Sequence, residues 1–220
     1  MGKDAIKIRG LYAFIDAAYV GMDGVEEAVT GLVSGGARIV QLRAKDAAPR
    51  DILIAARVIR EAATRSGALF IVNDRADIAM IAGADGVHLG QDDLPVAEAR
   101  SLLGPDRIIG LSTHDVKEAV EAEALGADYI SLGPIFPTRT KKDAQAPRGL
   151  PLLSEVRSAV RLPIVAIGGI TRENMEEVFK AGADSVAIIS GILMEQDIKA
   201  RVASIVSIIE RPGAYQSPPW

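Results

Sequence analysis

The 220-residue sequence contains no cysteine and few aromatic residues, and these two absences exclude several kinds of protein. Without cysteine, the chain has no disulfide framework, no thiolate metal site and no thiol nucleophile. Aromatic residues make up only 4% of the chain and the net charge is −4, which argues against base-stacking platforms and a basic nucleic-acid surface. We therefore expect a small-molecule partner and no nucleic acid.

Long hydrophobic runs are also missing. No window approaches the roughly 18 apolar residues of a membrane span, and the first residues lack the apolar stretch of a signal peptide. We therefore expect a cytoplasmic protein with no membrane partner, and leave open whether it forms a homo-oligomer. A hydrophobic content of 49% predicts a single domain over residues 1–220, with a flexible tail at 211–220.

Eight short runs of β-type sequence alternate with longer segments of helical periodicity. The runs lie at residues 11–16, 39–42, 69–72, 86–89, 108–112, 129–132, 164–168 and 185–189. In one helical segment Val116, Ala119, Val120 and Ala124 recur at helical spacing, which predicts a common core-facing side. Repeated strand–helix units predict parallel strands joined by right-handed crossovers.

Gly-Ala turns precede every second run, at Gly36, Gly83, Gly126 and Gly182. Glycine there suits the left-handed residue that ends a helix. This recurrence predicts an α/β fold, a (β/α)8 TIM barrel built from similar halves. An open doubly wound sheet is the alternative, but the glycine-rich turn that follows the first strand of such a sheet is missing at residues 16–21.

Residues at the carboxyl ends of barrel strands meet at one face, where TIM barrels carry their chemistry. Gln41, Arg43 and Lys45 alternate at the second strand, so we expect all of them to point toward this mouth. Two cations and an amide on one side favour an anion site over a solvated strand end in which Arg43 pairs with a carboxylate.

Acidic residues follow the next two strands: Asp74 comes directly after Asn73, and Asp92 and Asp93 follow the fourth strand. Neighbouring strands lie about 5 Å apart, so these carboxylates can meet at one hard cation, and Mg²⁺ takes one or two of them. The alternative is that Asp74 and Asp93 each cap the helix that follows.

The fifth strand ends in Ser112, Thr113 and His114. We expect Thr113 to cap the next helix. His88 is expected to pack inside the barrel, which leaves His114 as the better placed histidine, and no Ser-His-Asp triad can be assembled.

Glycines at the last two strand ends predict a phosphate site. Gly168-Gly169 and Ser190-Gly191 allow backbone N–H groups to approach an anion, although Gly168-Gly169 could be only a tight turn.

The segment 134–149 is far longer than the usual connection of about six residues. Its polar core consists of Thr138, Arg139, Thr140, Lys141 and Lys142. We expect a mobile basic flap that closes on phosphorylated substrates and excludes water, rather than a merely solvated charge run.

The motifs QLRAKD, VND, HLGQDDL, GLSTH, DYISLGPIFPTRTKKD, VAIGGIT and AIISGI, in this order over residues 11–195, closely resemble those of the thiamine-phosphate synthase (thiamine phosphate pyrophosphorylase) family. The resemblance implies a Mg²⁺-dependent transferase of thiamine biosynthesis. Such an enzyme couples a hydroxymethylpyrimidine diphosphate to a thiazole phosphate and releases diphosphate. One departure is Ala44, where the family usually has an acidic residue.

Residue roles follow from the same resemblance. The residues implied to bind the pyrimidine diphosphate are Gln41, Arg43, Lys45, Asn73, Ser112 and Lys141, of which Arg43, Lys45, Ser112 and Lys141 would be catalytic. The implied Mg²⁺ ligands are Asp74 and Asp93. The residues implied to hold the thiazole phosphate are Thr138, Thr140, Gly169, Ile189 and Ser190. The alternatives are a thiazole tautomerase of the same barrel family with His114 as base, and a non-catalytic binder of a thiamine precursor.

Overall fold

The computed structural model describes residues 8–138 and 146–211. In this part of the chain eight parallel strands close into a barrel in sequence order, and the last strand pairs with the first. The strands are β1 (Gly10–Asp16), β2 (Ile39–Arg43), β3 (Leu69–Asn73), β4 (Gly86–Leu89), β5 (Ile108–Thr113), β6 (Tyr129–Leu132), β7 (Ile164–Ile167) and β8 (Ser185–Ile188). All eight predicted strands are present, which confirms the TIM barrel and excludes the open sheet.

Helices connect the strands on the outside of the barrel. They are α1 (Ala17–Val20), α2 (Val25–Ser34), α3 (Pro49–Ser66), α4 (Ala76–Ala82), α5 (Val96–Leu103), α6 (Val116–Ala124), α7 (Gly149–Ala159), α8 (Met175–Lys180), α9 (Ser190–Leu193) and α10 (Ile198–Ile209). None of these described helices is both long enough and apolar enough to cross a membrane.

Each strand presents alternate side chains to the helices and to the barrel interior. Side chains such as Phe70 and Ile130, fully buried, belong to the helix-facing set. Tyr12 on β1 and Tyr129 on β6 belong to the interior set, because their hydroxyls lie 2.7 Å apart although the two strands are not neighbours. The interior is therefore a packed core with a polar centre.

The predicted core face of α6 is partly wrong. Ala119 is fully buried as expected and Val116 is partly buried, but Val120 is 44% exposed and Ala124 is exposed too. The buried stripe continues at Ala122 instead. A stripe of two alanines lets the helix lie close to the strands, and this rotation turns the larger Val120 outward.

The Gly-Ala turns lie at the amino-terminal end of the barrel. Gly36, Gly83, Gly126 and Gly182 have φ angles of 100°, 67°, 80° and 111°, in the left-handed region predicted for them. A side chain there would strain the backbone.

Three of these turns are followed by an aspartate that ties two strands and a helix together. Asp184 Oδ2 accepts hydrogen bonds from the backbone N–H of Ile164 and from Arg157 Nη1, both at 2.9 Å. The equivalent groups are Asp85 with Phe70 and Arg60, and Asp128 with Ile109 and Arg100. We call these three groups the aspartate clamps. They lie at the barrel face that serves stability rather than chemistry.

Candidate active site

A cavity of about 530 Å³ opens at the carboxyl ends of the strands. Its walls come from the ends of β5, β6, β7 and β8 and from the segments that follow them. The predicted site residues that line it are Ser112, Thr138, Gly169, Ile189 and Ser190. Five predicted residues from four separate parts of the chain therefore share one cavity.

The end of β7 is shaped by two consecutive glycines. Gly168 and Gly169 have φ angles of 97° and 64°, which favour glycine. A Cβ at Gly168 would lie 2.5 Å from the Cβ of Pro134, and one at Gly169 would lie 2.5 Å from the carbonyl oxygen of Pro137. The glycines are therefore required by the close passage of the segment after β6 as well as by their own turn.

The long loop after β6 has a fixed base. On one side, the backbone N–H groups of Ile135 and Phe136 donate to the carbonyls of Ile167 and Gly168 at 2.9 and 3.0 Å. On the other side, Arg148 N–H donates to the Pro134 carbonyl at 2.8 Å, so the two ends of the loop meet.

The predicted residues Arg139, Thr140, Lys141 and Lys142 lie outside the described residues. The basic flap therefore stays a prediction.

Asp74 and Asp93 lie together at the ends of β3 and β4. Asp74 Oδ2 is 3.5 Å from Lys45 Nζ, and Asp93 Oδ2 accepts from the backbone N–H of Gly90 at 2.7 Å. Neither aspartate caps a helix, because the N-cap residues of α4 and α5 are Arg75 and Pro95 and neither cap is closed by a side chain. The capping alternative is wrong at both positions.

The electrostatics of the pair favour a bound cation. The pKa of Asp74 is raised, first because the carboxyl is partly buried and then because Asp93 lies beside it; Lys45 opposes the shift. Asp74 is also the one non-glycine residue among those described with a positive φ, 62°. Mg²⁺ characteristically takes one or two protein carboxylates, and the adjacent Asp74 and Asp93, with Asp74 held in a sparsely populated backbone conformation, fit that number.

A full protein cage for a metal is not built here: no group of three or more acidic, histidine or cysteine side chains gathers among the described residues. A Mg²⁺ ion at this pair would take its other ligands from water and substrate phosphate, as is usual for this ion.

Replacing Asp74 by Asn should stabilise the metal-free protein. Asn tolerates the left-handed backbone and removes one of two touching negative charges. Because the folded-state pKa of Asp74 is raised, its charge opposes folding at neutral pH, and this penalty disappears as the pH falls through that pKa. We expect a gain of roughly 1 kcal/mol, or about 2 to 4 °C in Tm, at neutral pH.

Thermal unfolding of both proteins across acidic and neutral pH checks this expectation. The gain should shrink toward acid pH, and added Mg²⁺ should raise the Tm of the parent protein more than that of Asp74→Asn. A Tm that falls at neutral pH on substitution contradicts it.

Arg43 is held by an acidic residue that sequence reasoning missed. Its Nη1 lies 2.7 Å from Asp16 Oδ2, and the Asp16 side chain is only 2% exposed. The β1–β2 register sets these two residues opposite each other. Arg43 thus pairs with a carboxylate, as the alternative interpretation of this strand end predicts. Within residues 8–138 and 146–211, Asp16 is the hydrogen-bond partner of its guanidinium, so further N–H donors remain for other acceptors.

The barrel interior carries a run of hydrogen bonds that begins at Asn73. Gln41 Nε2 donates to Asn73 Oδ1 at 2.7 Å, and Gln41 Oε1 accepts from the Tyr12 hydroxyl at 2.8 Å. Tyr12 then meets Tyr129 at 2.7 Å. Burial raises the pKa of both tyrosines, so each keeps its hydroxyl proton.

The run continues through His88 to the cavity. His88 Nδ1 lies 2.9 Å from the Tyr129 hydroxyl, and Nε2 lies 3.0 Å from Ser112 Oγ and 3.2 Å from Ser131 Oγ. We call Asn73, Gln41, Tyr12, Tyr129, His88 and Ser112 the interior polar chain. His88 packs inside the barrel as predicted.

Sequence reasoning missed Tyr12, Tyr129 and Ser131 in this network. The available signal was their position: each is a polar residue inside a predicted strand, on the same side of its strand as other interior residues. Ser131 lies opposite Ser112, and Tyr129 and His88 both lie opposite Gly110.

The end of β5 differs from the prediction in one respect. Thr113 Oγ1 donates to the Ser131 carbonyl at 3.0 Å and does not cap α6; that role belongs to Asp115, which accepts from Glu118 N–H at 2.8 Å. Glu118 reaches back to the backbone N–H of His114 at 2.8 Å and to its Nδ1 at 2.9 Å. Asp115 therefore caps α6, while Glu118 binds the residue before the cap, which leaves Thr113 free to join β5 to β6.

Comparison with known proteins assigns this geometry to a family. The family model described as thiamine monophosphate synthase matches residues 11–192. A thiamine-phosphate synthase of Methanosarcina barkeri is 48% identical over 190 residues, covering 86% of each chain. One of Methanoculleus marisnigri is 54% identical over 172 residues, covering 78% of this chain and 82% of that protein.

A solved structure of thiamine phosphate pyrophosphorylase from Pyrococcus furiosus superposes with a TM-score of 0.85 at 36% identity. The match covers 93% of this chain and 96% of that one. The family resemblance drawn from the motifs is confirmed. The chain belongs to the thiamine monophosphate synthase family of transferases.

Proposed function

We propose that the protein joins 4-amino-2-methyl-5-hydroxymethylpyrimidine diphosphate to 4-methyl-5-(2-hydroxyethyl)thiazole phosphate, with release of diphosphate and with Mg²⁺ as cofactor. The observation that carries the proposal is the arrangement at one barrel face. An acidic pair with adjacent cations lies at β2 to β4, and a cavity with glycine-rich walls lies at β5 to β8.

The diphosphate fits the first half of this face. Asp74 and Asp93 would hold Mg²⁺, and Lys45 already contacts Asp74 at 3.5 Å. Arg43, fixed by Asp16, supplies a second positive charge with unused donors. When bound, Mg²⁺ would neutralise part of the charge that develops on the departing diphosphate.

The thiazole phosphate fits the second half. Gly169 and Ser190 line the cavity, and the absence of a side chain at Gly169 lets an anion approach the backbone N–H groups closely. Thr138 lines the same cavity from the segment after β6. Thr140 and Lys141 would complete the phosphate and diphosphate contacts from the loop.

The reaction needs charge stabilisation and positioning more than a strong base. The bond between the pyrimidine methylene carbon and the diphosphate oxygen breaks, and the diphosphate keeps the electron pair. The thiazole nitrogen then gives its lone pair to the methylene carbon. Arg43, Lys45 and Lys141 stabilise the leaving charge, while the cavity holds the thiazole near the carbon and excludes water.

Mixing the purified protein with both half-substrates and Mg²⁺ tests the proposal. We expect diphosphate and thiamine phosphate to form in equal amounts, and neither to form in good yield when a half-substrate or Mg²⁺ is left out. A tautomerase working through His114 would exchange a thiazole carbon-bound proton with solvent without releasing diphosphate. A binder would do neither, and either of these results contradicts the synthase.

A further inference from the structure

The hydrogen bonds of the interior polar chain have a defined donor and acceptor at each step, and the orientation of the Gln41 amide sets this order. The Gln41 amide nitrogen donates to Asn73, so the carbonyl oxygen faces Tyr12 and can only accept. The single Tyr12 hydroxyl proton is therefore used toward Gln41. The 2.7 Å contact between Tyr12 and Tyr129 must then use the proton of Tyr129.

This direction fixes the tautomer of His88. With its proton given to Tyr12, the Tyr129 hydroxyl can only accept from His88 at 2.9 Å, so Nδ1 carries the hydrogen. A neutral imidazole has one N–H, which makes Nε2 an acceptor. Two serine hydroxyls face this nitrogen, Ser112 at 3.0 Å and Ser131 at 3.2 Å. We assign the donated proton to the closer one, Ser112, because the Ser131 hydroxyl is also placed to donate to Ser112 Oγ.

Ser112 is thereby left with acceptor capacity only. Its proton points to His88, and Ser131 lies in reach as a second donor to its oxygen at 3.4 Å. Ser112 also lines the cavity. A ligand group that meets Ser112 Oγ must therefore bring a hydrogen of its own.

We propose that Tyr12, Tyr129 and His88 are positioning residues that hold Ser112 Oγ as a hydrogen-bond acceptor and so select an amino group on the pyrimidine substrate. This inference rests on the proposed function: Ser112 follows Leu111, which lies opposite Leu89 at the end of β4, so a pyrimidine whose diphosphate is held at Asp93 would lie beside Ser112, at the edge of the thiazole cavity. The exocyclic amino group is the one N–H donor on the aminopyrimidine ring, whose ring nitrogens only accept. A pyrimidine with a carbonyl oxygen in place of that amino group would meet a second acceptor at Ser112 and be rejected.

Tyr129→Phe tests the mechanism without touching the substrate. Tyr129 is fully buried, and phenylalanine keeps the ring that packs beside Gly110 and His88. Without the hydroxyl, His88 Nδ1–H loses its acceptor and the proton moves to Nε2. Ser112 then turns its own hydrogen toward the cavity.

The preference between substrates is the readout. We expect the ratio of kcat/KM for the 4-amino substrate to that for its 4-oxo analogue to fall about tenfold in Tyr129→Phe, equivalent to about 1.4 kcal/mol. Taking the ratio in each protein cancels the different intrinsic reactivity of the two pyrimidines. Tyr12→Phe should lower the same substrate ratio by a similar factor, although Tyr12 does not contact His88. Without the Tyr12 hydroxyl, Tyr129 would donate its proton to His88 Nδ1, and the imidazole proton would again move to Nε2.

Ser185→Ala is the matched control. Ser185 is a fully buried hydroxyl on β8 that has no hydrogen-bond partner among the described residues. It lies two residues before Ala187, which lines the cavity, so both point to the barrel interior. Removing its hydroxyl should leave the substrate ratio unchanged.

Histidine tautomers can also be read directly. The chain has only two histidines, so ¹⁵N-histidine NMR spectra of the parent protein and of His114→Gln assign both rings. We expect the Nδ1–H form for His88 in the parent and the Nε2–H form in Tyr129→Phe. An Nε2–H form in the parent overturns the inference.

The outcomes separate the two proposals. If the parent protein releases no diphosphate from the 4-amino substrate, the proposed function fails and the selectivity fails with it. If the parent is active but the substrate ratio is unchanged in both tyrosine variants, only the positioning role is overturned.

Discussion

Asp93→Asn is expected to lower kcat for diphosphate release by about 100-fold or more while the barrel stays folded. Asp93 Oδ2 accepts from Gly90 N–H at 2.7 Å, and the amide oxygen of asparagine can keep that hydrogen bond. The substitution therefore removes the charge and spares the turn. The measurement is the initial rate of diphosphate release over a range of Mg²⁺ concentrations, beside a thermal unfolding curve.

Two further variants sharpen this prediction. Asp93→Ala removes both the charge and the turn contact, so it should lose as much activity as Asp93→Asn and also some stability. Asp92→Asn makes the same change in net charge at the neighbouring exposed position and should keep full activity. Unchanged turnover of Asp93→Asn at every Mg²⁺ level would falsify the assignment of Asp93 as a metal ligand.

Gly168→Ala is expected to have the second large effect, because a methyl group there meets a neighbouring chain segment. The new Cβ would lie 2.5 Å from Pro134 Cβ and 2.6 Å from Pro134 Cα, distances at which the loop base must move. Movement of the base displaces the cavity wall, which includes Thr138. We expect a loss of about 3 kcal/mol in the free energy of unfolding and a KM for the thiazole phosphate raised by about tenfold or more.

Gly67→Ala separates crowding from backbone strain. Gly67 has φ 70° and no atom within 4 Å of a Cβ placed on it, and it lies in the turn between α3 and β3. In Gly67→Ala the free energy of unfolding should fall by only roughly 1 to 2 kcal/mol, the cost of placing a side chain in the left-handed backbone region, and the KM values should not change. Equal KM values for the thiazole phosphate in Gly168→Ala and the parent would show that the loop base does not shape the phosphate site.

The sequence predicted the fold well because barrel strands repeat one simple pattern. Each of the eight strands is a short apolar run between helical segments, and the Gly-Ala turns mark every second unit. Helix rotation was harder to predict: Val120 and Ala122 are both apolar, and only the distance between α6 and the strands decides which of them is buried.

The site was predicted in part. Sequence reasoning found the carboxylates after β3 and β4 from their place in the chain, since parallel strands bring their carboxyl ends together. It could not predict that Arg43 pairs with Asp16 or that Tyr12 meets Tyr129, because these contacts depend on the register and closure of the barrel. It also assigned Thr113 to a cap that Asp115 makes, since the two residues are close neighbours with similar capping chemistry.

The aspartate clamps have a consequence for how this chain can be cut and rejoined. Each clamp joins one odd-numbered strand, the helix before it and the turn into the next strand, so the hydrogen bonds that define it fall inside one two-strand module. New termini placed after β2, β4 or β6 leave every clamp within a single fragment, whereas a break after β3, β5 or β7 separates an aspartate from its arginine. Circular permutants and split halves of this barrel should therefore assemble best when opened after an even-numbered strand.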